Sequence, residues 1–175
     1  MMFAILAALQ AAQATPPPRA AVSASQVAEV RTADGRLVAR ALVFAAGDRP
    51  VQVRIQAAGL APGSYGAHIH AVGRCEGPDF ESAGPHWNPA GRQHGSLNPQ
   101  GPHLGDLPNL EVDGEGHGRV EDEITAAVLQ GEAHAVFDAD GSAVVIHAAP
   151  DDYRTDPAGN SGARIACAVL TLPTP

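Results

Sequence analysis

Apolar and polar residues alternate along the first third of this chain, with no repeat every three or four positions. Val51, Val53 and Ile55 interleave with Gln52, Arg54 and Gln56. A period of two turns the first set inward and the second toward water, the pattern of a half-buried strand. Upstream, Gln26 to Thr32 and Leu37 to Phe44 flank Ala33-Asp34-Gly35, which predicts a hairpin. Downstream, Gly59-Leu60-Ala61-Pro62-Gly63 turns the chain into a strand from Tyr65 to His70. Asn109 to Val112 and Gly118 to Ile124 flank the turn Asp113-Gly114-Glu115-Gly116, and two further strands are predicted at Ala143 to His147 and Arg164 to Leu170. One helical turn is expected within Ile124 to Gln130. About eight short strands joined by regular turns predict an all-β fold, an antiparallel sandwich or barrel. Two long insertions interrupt it, Ala71 to Pro108 and Ala148 to Gly162, and structureless segments of that length are uncommon unless they carry function.

Composition narrows this picture. A chain of 175 residues accommodates one domain, and with 45% hydrophobic but only 4% aromatic residues its core must be aliphatic. The formal charge is −8, and every basic residue is arginine. An acidic surface of this kind disfavours nucleic acid and anionic lipid as partners, and no apolar run reaches the ~18 residues of a membrane-spanning helix. At the N-terminus an apolar stretch precedes Ala12-Gln13-Ala14, a small-x-small cleavage pattern, and Pro16-Pro17-Pro18 stops any helix there. Residues 1–14 are therefore expected to be a signal peptide and 15–25 a flexible lead-in, with the β domain spanning 26–175. Export favours pairing of the two cysteines, Cys75 and Cys167. Such a bridge closes a loop of ~90 residues and stabilises by roughly 4–5 kcal/mol at the upper end. The alternative, a pair of thiolate metal ligands, lacks a CxxC partner.

The chemistry concentrates between His68 and Asp106, where His68, His70, His86, His94 and His103 lie among Gly, Pro, Asn and Ser, with His147 following in VVIHAA. Histidine is the commonest metal ligand, and loops between strands are where such sites are built. His68 and His70 are one residue apart, so on a strand their rings share a face, roughly 6–7 Å apart. With His147 they form a nitrogen-rich set that suits copper, nickel or zinc. His94, His103 and Asp106 form a second set that suits tetrahedral zinc, given one more ligand. His86 could serve either set. His117 and His134 are read as solvent-facing or satisfied by backbone, and Trp87 as packing beneath the loop. Gly159 and Gly162 are read as the bends that place Arg164.

The segments GAHIHAVGRC, SAGPHWNPAGRQHG, PQGPHLGDLPNL, VVIHAAPDD and GNSGARIACAVL resemble, in order and spacing, the copper, zinc superoxide dismutase family, and the short step from His70 to Cys75 resembles its bacterial exported branch. The resemblance spans Gln26 to Leu170. It implies a Greek-key flattened barrel in which His68, His70, His86 and His147 hold copper. His86, His94, His103 and Asp106 would then hold zinc, with His86 bridging the two ions. It further implies that Asp151 links a copper histidine to a zinc histidine, that Arg164 orients the substrate, and that Cys75 pairs with Cys167.

The function so implied is dismutation of superoxide to oxygen and peroxide, through alternate reduction and reoxidation of the copper. Two divalent ions and Arg164 would leave the floor of the site positive in a chain that is −8 overall, and an anion would be drawn there. Without lysine, steering at the rim falls to arginines such as Arg92 and Arg154. The implied location is the bacterial periplasm, the partner is superoxide with neither nucleic acid nor membrane, and a homodimer is the assembly to test. Two rivals are a copper or zinc buffer without useful catalysis and a structural domain holding zinc only. Arg164 separates the first, since a buffer has no use for it, and the full set of histidines separates the second.

Overall fold

The alternating run around Val53 is a strand whose burial alternates along its length, and its neighbours are arranged to exploit that. The computed structural model describes residues 22–46, 49–131 and 133–171. The cleavage pattern Ala12-Gln13-Ala14 and the prolines Pro16 to Pro18 lie outside the described residues. Nine strands are present among the described residues: β1 Val22–Arg31, β2 Leu37–Ala46, β3 Val51–Ala58, β4 Gly63–Tyr65, β5 Ala67–His70, β6 Leu110–Val112, β7 His117–Ile124, β8 Ser142–His147 and β9 Arg164–Leu170. All pair antiparallel, in the order β4-β6-β7-β3-β2-β1-β9-β8-β5. The two ends of that order are β4 and β5, which are consecutive in the chain, so the sheet curls into a nearly closed barrel.

Inside it Val30, Val38, Val43, Val53, Ile55, Ile69, Leu110, Ile146 and Leu170 are almost wholly buried, the aliphatic core that the scarcity of aromatics demands. β8 is buried at every position. One of its faces joins this core and the other lies beneath the loops, as a continuous apolar run leads one to expect.

Three expectations need correction. β1 starts at Val22, before the expected Gln26, because Val22 pairs with Ala46 at the far end of β2. The strand expected from Tyr65 to His70 is two strands: β4 pairs with β6, whereas β5 pairs with β8. The chain changes partners at Gly66, whose N–H donates to Ala149 O and whose carbonyl accepts from His147 N, both at 2.8 Å. The helical turn expected within Ile124 to Gln130 is absent. Val128 forms a parallel bridge with Ala135 instead, and folding the segment back on itself buries Leu129, Val136 and Phe137 in the core. The only helical element among the described residues is one 3-10 turn, Glu81–Ala83, and no helix there is long and apolar enough to cross a membrane.

Gly66 closes the barrel and has no room for a side chain: a Cβ there would stand 2.8 Å from Ser161 Cβ and 3.4 Å from both Ala149 O and His68 Cε1. Gly66→Ala is expected to destabilise the metal-free protein by about 1–3 kcal/mol, the usual effect of forcing a methyl into a packed interior. Denaturant unfolding measures it, and a loss below about 0.5 kcal/mol would show that the seam yields freely.

Candidate metal centre

β5 is the spine of the site. On one edge it pairs with β8; on the other it is covered by two short pieces of the long loop, so that His68 lies opposite Asp106 and His70 opposite His86. Backbone hydrogen bonds fix these pieces: Ile69 N to Gly105 O, Trp87 N to Ile69 O and Gly105 N to Trp87 O. Trp87 is buried under the loop as expected. His68 and His70 project from one face of β5, with ring centroids 6.4 Å apart. His147 ends β8 and pairs across the ladder with Arg164, the first residue of β9.

All six candidate histidines are buried, and with Asp151 they make up most of the buried polar side chains among the described residues. The ligand atoms of His68, His70, His86 and His147 lie within 4.8 Å of one another, as do those of His86, His94, His103 and Asp106. His86 belongs to both groups. Its ring centroid is 4.0 Å from His68 and 4.9 Å from His70 on one side, and 5.2 Å from His94 and 5.5 Å from His103 on the other. His117 is exposed, and the half-buried His134 is within 3.1 Å of Ala126 O through Nδ1; neither joins the site.

Counting the ring nitrogens tests whether cations fit. His70 Nδ1 donates to Gly84 O at 2.9 Å and His147 Nδ1 to Gly162 O at 3.2 Å. Each imidazole then presents a bare Nε2, and these two lone pairs face one another at 3.4 Å. His68 gives Nε2–H to Asp151 Oδ2 at 2.7 Å, leaving Nδ1 with no partner. His86 turns Nδ1 to Asp106 Oδ1 at 2.9 Å, leaving Nε2 with none. His94 bonds Asp151 Oδ1 through Nε2 at 3.0 Å, while its Nδ1 stands 3.0 Å from Asp106 Oδ1 outside hydrogen-bonding geometry. Buried polar atoms are normally paired, and each one left unpaired costs about 1–3 kcal/mol. Converging bare nitrogens such as those of His68, His70, His86 and His147 are stabilised by a positive ion among them. The first group offers four nitrogens, the second three nitrogens and a carboxylate, donor sets that suit copper and zinc respectively.

Charge is arranged to match. Burial pushes His70 down to about 2 and His147 down to about 3, with neighbouring rings adding to the effect. Burial likewise takes His86 down to about 4, against the opposing pull of Asp106. Burial would also lower His94, but the carboxylates of Asp106 and Asp151 outweigh it and raise that ring to about 9. Burial would raise Asp106, yet contacts from His103, His86 and His94 hold it well below the usual carboxylate range. Asp151 is held low in the same way by His68 and His94.

Arg164 donates through its two terminal nitrogens to Phe80 O and Gly84 O, each at 2.8 Å. Gly84 O also receives His70 Nδ1–H, so the guanidinium and a candidate ligand share one acceptor. The groove beside Arg164 is lined by Pro78, Asp79, Glu81, Gly162 and Ala163, so its charged neighbours there are carboxylates, and Arg92 and Arg154 are not among its walls. Cys75 and Cys167 form a disulfide, the pairing the sequence led one to expect.

Gly159 and Gly162 both take left-handed backbone, at φ +63 and +76, as bends require. Gly159 has a second effect that the sequence did not announce: a Cβ there would collide with Asp151 Oδ1 and His94 Nε2, so its absence makes room for that carboxylate. Sequence reasoning missed Asn109, whose side chain bonds the backbone of Asp151, and Tyr153, whose N–H donates to Asp151 Oδ1 at 2.6 Å. The available signal was an asparagine at the mouth of a strand, where its propensity is poor.

Comparison with known proteins agrees with this geometry. The family described as copper/zinc superoxide dismutase (SODC) matches residues 39–170. The chain is 43% identical to the Cu-Zn superoxide dismutase 2 of Aquifex aeolicus over 82% of its own length and 84% of the relative's. It is 47% identical to the Cu-Zn superoxide dismutase 1 of the same organism, over 69% and 72% of the two chains. Among solved structures, a SOD-like protein from Bacillus subtilis superposes with a TM-score of 0.78 at 41% identity, covering 86% of this chain and 99% of that one.

The raised His94 has a measurable consequence. Near pH 7 the metal-free protein keeps a proton on this ring, and a cation held by His86, His94, His103 and Asp106 must displace it. Zinc affinity of the metal-free protein is expected to rise about tenfold per pH unit between about pH 7 and 9 and then level off. Calorimetry in buffers of different ionisation heat should count about one proton released per zinc at the lower end. His70 and His147, already neutral there, release none. For folding without metal, His94 contributes stability that is complete below 6.5 and lost as pH rises through about 9. His70 and His147 act oppositely, contributing above 6.5 and losing that contribution as pH falls toward 2 and 3. A zinc affinity that stays flat from about pH 7 to 9 would contradict the arrangement.

Proposed function

Because the chain belongs to the copper/zinc superoxide dismutase family, we propose a specific division of labour among its residues. The protein is an oxidoreductase that converts superoxide to oxygen and hydrogen peroxide with copper and zinc as cofactors. His68, His70, His86 and His147 would hold copper, and His86, His94, His103 and Asp106 would hold zinc. Copper, when bound, supplies alternation between two oxidation states, and zinc supplies fixed charge without redox change. The single observation that carries this reading is the position of the His86 ring between both groups, with Nδ1 on the Asp106 side and Nε2 unpartnered on the other.

The protein's own residues divide the remaining work. Arg164 presents a guanidinium held from behind by two carbonyls, so its outer edge can receive a small anion without reorganising. His86 Nε2 can carry a proton when it is not engaged by metal, placing an acid where peroxide must form. Asp151 fixes the rings of His68 and His94 through their outer nitrogens, the usual device for orienting ligating histidines. Export to the bacterial periplasm fits the disulfide and the N-terminal cleavage pattern. Superoxide is the partner, with neither membrane nor nucleic acid, and a homodimer is the assembly to test by sedimentation. A metal buffer is the weaker reading, because it has no use for a guanidinium fixed this firmly beside the histidines.

Protein loaded with both metals should consume superoxide far faster than the radical decays alone; decay at the uncatalysed rate would sink the assignment. Arg164→Ala is expected to lower the rate about tenfold or more at low ionic strength while copper and zinc contents stay unchanged. Metal analysis beside a superoxide-consumption assay tests this, and an unaltered rate would remove Arg164 from the mechanism.

A further inference from the structure

Asp151 reaches two rings from a loop that has no regular structure, so something else must hold its backbone. One side chain grips it on both sides. Asn109 Nδ2 donates to Asp151 O at 3.0 Å, and Asp151 N donates to Asn109 Oδ1 at 2.8 Å. A primary amide used this way supplies both a donor and an acceptor, as a neighbouring strand residue would. The backbone N–H of Asn109 donates to the Tyr153 hydroxyl at 2.8 Å, and Tyr153 N donates back to Asp151 Oδ1 at 2.6 Å. Asn109 is itself well anchored. It directly precedes β6, which begins at Leu110, and it follows shortly after Asp106.

We propose that Asn109 is a positioning residue of the metal centre, which fixes the backbone of Asp151 before any metal is bound and so sets its carboxylate between His68 and His94. The inference rests on the reading that these two rings serve different metals. Its physical content is preorganisation: the carboxylate need not be ordered at the moment of metal binding, so less of the binding free energy is lost to ordering a loop. The residue type matters. Aspartate has nearly the same shape but only accepts hydrogen bonds, so it would set negative oxygen against the Asp151 carbonyl. Alanine removes both contacts.

Two measurements decide the matter, neither involving superoxide, so the failure of this inference and the failure of the dismutase reading are separable. In the unmodified, metal-free chain the Asp151 amide should exchange with deuterium at least about a hundredfold more slowly than an unstructured chain, because its bond to Asn109 does not depend on metal. Exchange at the unstructured rate overturns the proposal. Second, Asn109→Ala and Asn109→Asp should each weaken zinc binding about tenfold and shift the visible absorption of copper(II) bound by the protein, through the loosened His68 ring. Thr155→Ala, which removes a hydrogen bond to Asp152 in the same loop without touching Asp151, should leave both readouts as in the unmodified protein. If Asn109→Asp binds zinc normally, or if all three variants shift alike, Asn109 has no positioning role. Should Asn109→Ala fail to fold, the aspartate variant and the exchange measurement still decide.

Discussion

Six imidazoles buried side by side in a dry interior carry a desolvation cost that a positive charge among them offsets. His68, His70, His86, His94 and His147 each commit one ring nitrogen to a carbonyl or carboxylate, and the second nitrogen of His68, His86 and His94 has no hydrogen-bond partner. The low pKa values of His70, His86 and His147 follow directly, since their burial excludes the proton that would otherwise fill the gap. Two carboxylates, Asp106 and Asp151, balance the set from beside His94, which is why His94 alone among the shifted rings moves the other way. Much of the surrounding architecture serves to make this polar cluster tolerable.

The barrel does so by separating two faces of the same strands. β5 and β8 turn apolar side chains into the aliphatic core and histidines outward under the loops, so rigid backbone carries the ligands while irregular chain covers them. The loops are not draped loosely over this floor. His94 N donates to Asp156 Oδ1, Leu97 N to Tyr153 O, and Asn109 clasps Asp151, so the two long insertions brace one another. Sites mounted on strands and supported by a bonded outer layer keep their geometry better than sites carried by loops alone.

Much of this was legible in the chain. Alternation at Val51, Val53 and Ile55 marks β3 because periodicity is a local property, and histidine density marks the site because a ring type so rare elsewhere has few other reasons to cluster. What escaped depends on distant partners. Tyr65 to His70 reads as one strand, and only the bonds from Gly66 to Ala149 and His147 show that it must be two. The segment after Ile124 has a sequence that would permit a helical turn, but burial of Leu129 and Phe137 overrides that preference. Gly159 and Asn109 carry weight through contacts with Asp151, 42 positions distant in the case of Asn109; an asparagine at the mouth of a strand is out of place locally, but nothing nearby says which residue it holds.

The disulfide has a further consequence for the guanidinium. Cys167 follows Arg164 on β9, and Cys75 stands on the same loop as Phe80 and Gly84, whose carbonyls hold that arginine. Strand backbone, the sulfur bridge and two hydrogen bonds therefore make a small closed circuit around the mouth of the site. Until the thiols oxidise, that circuit is open and the loop bearing both carbonyls is tethered at fewer points. Settling of the Arg164 guanidinium is thus bound up with the redox surroundings in which the polypeptide finishes folding.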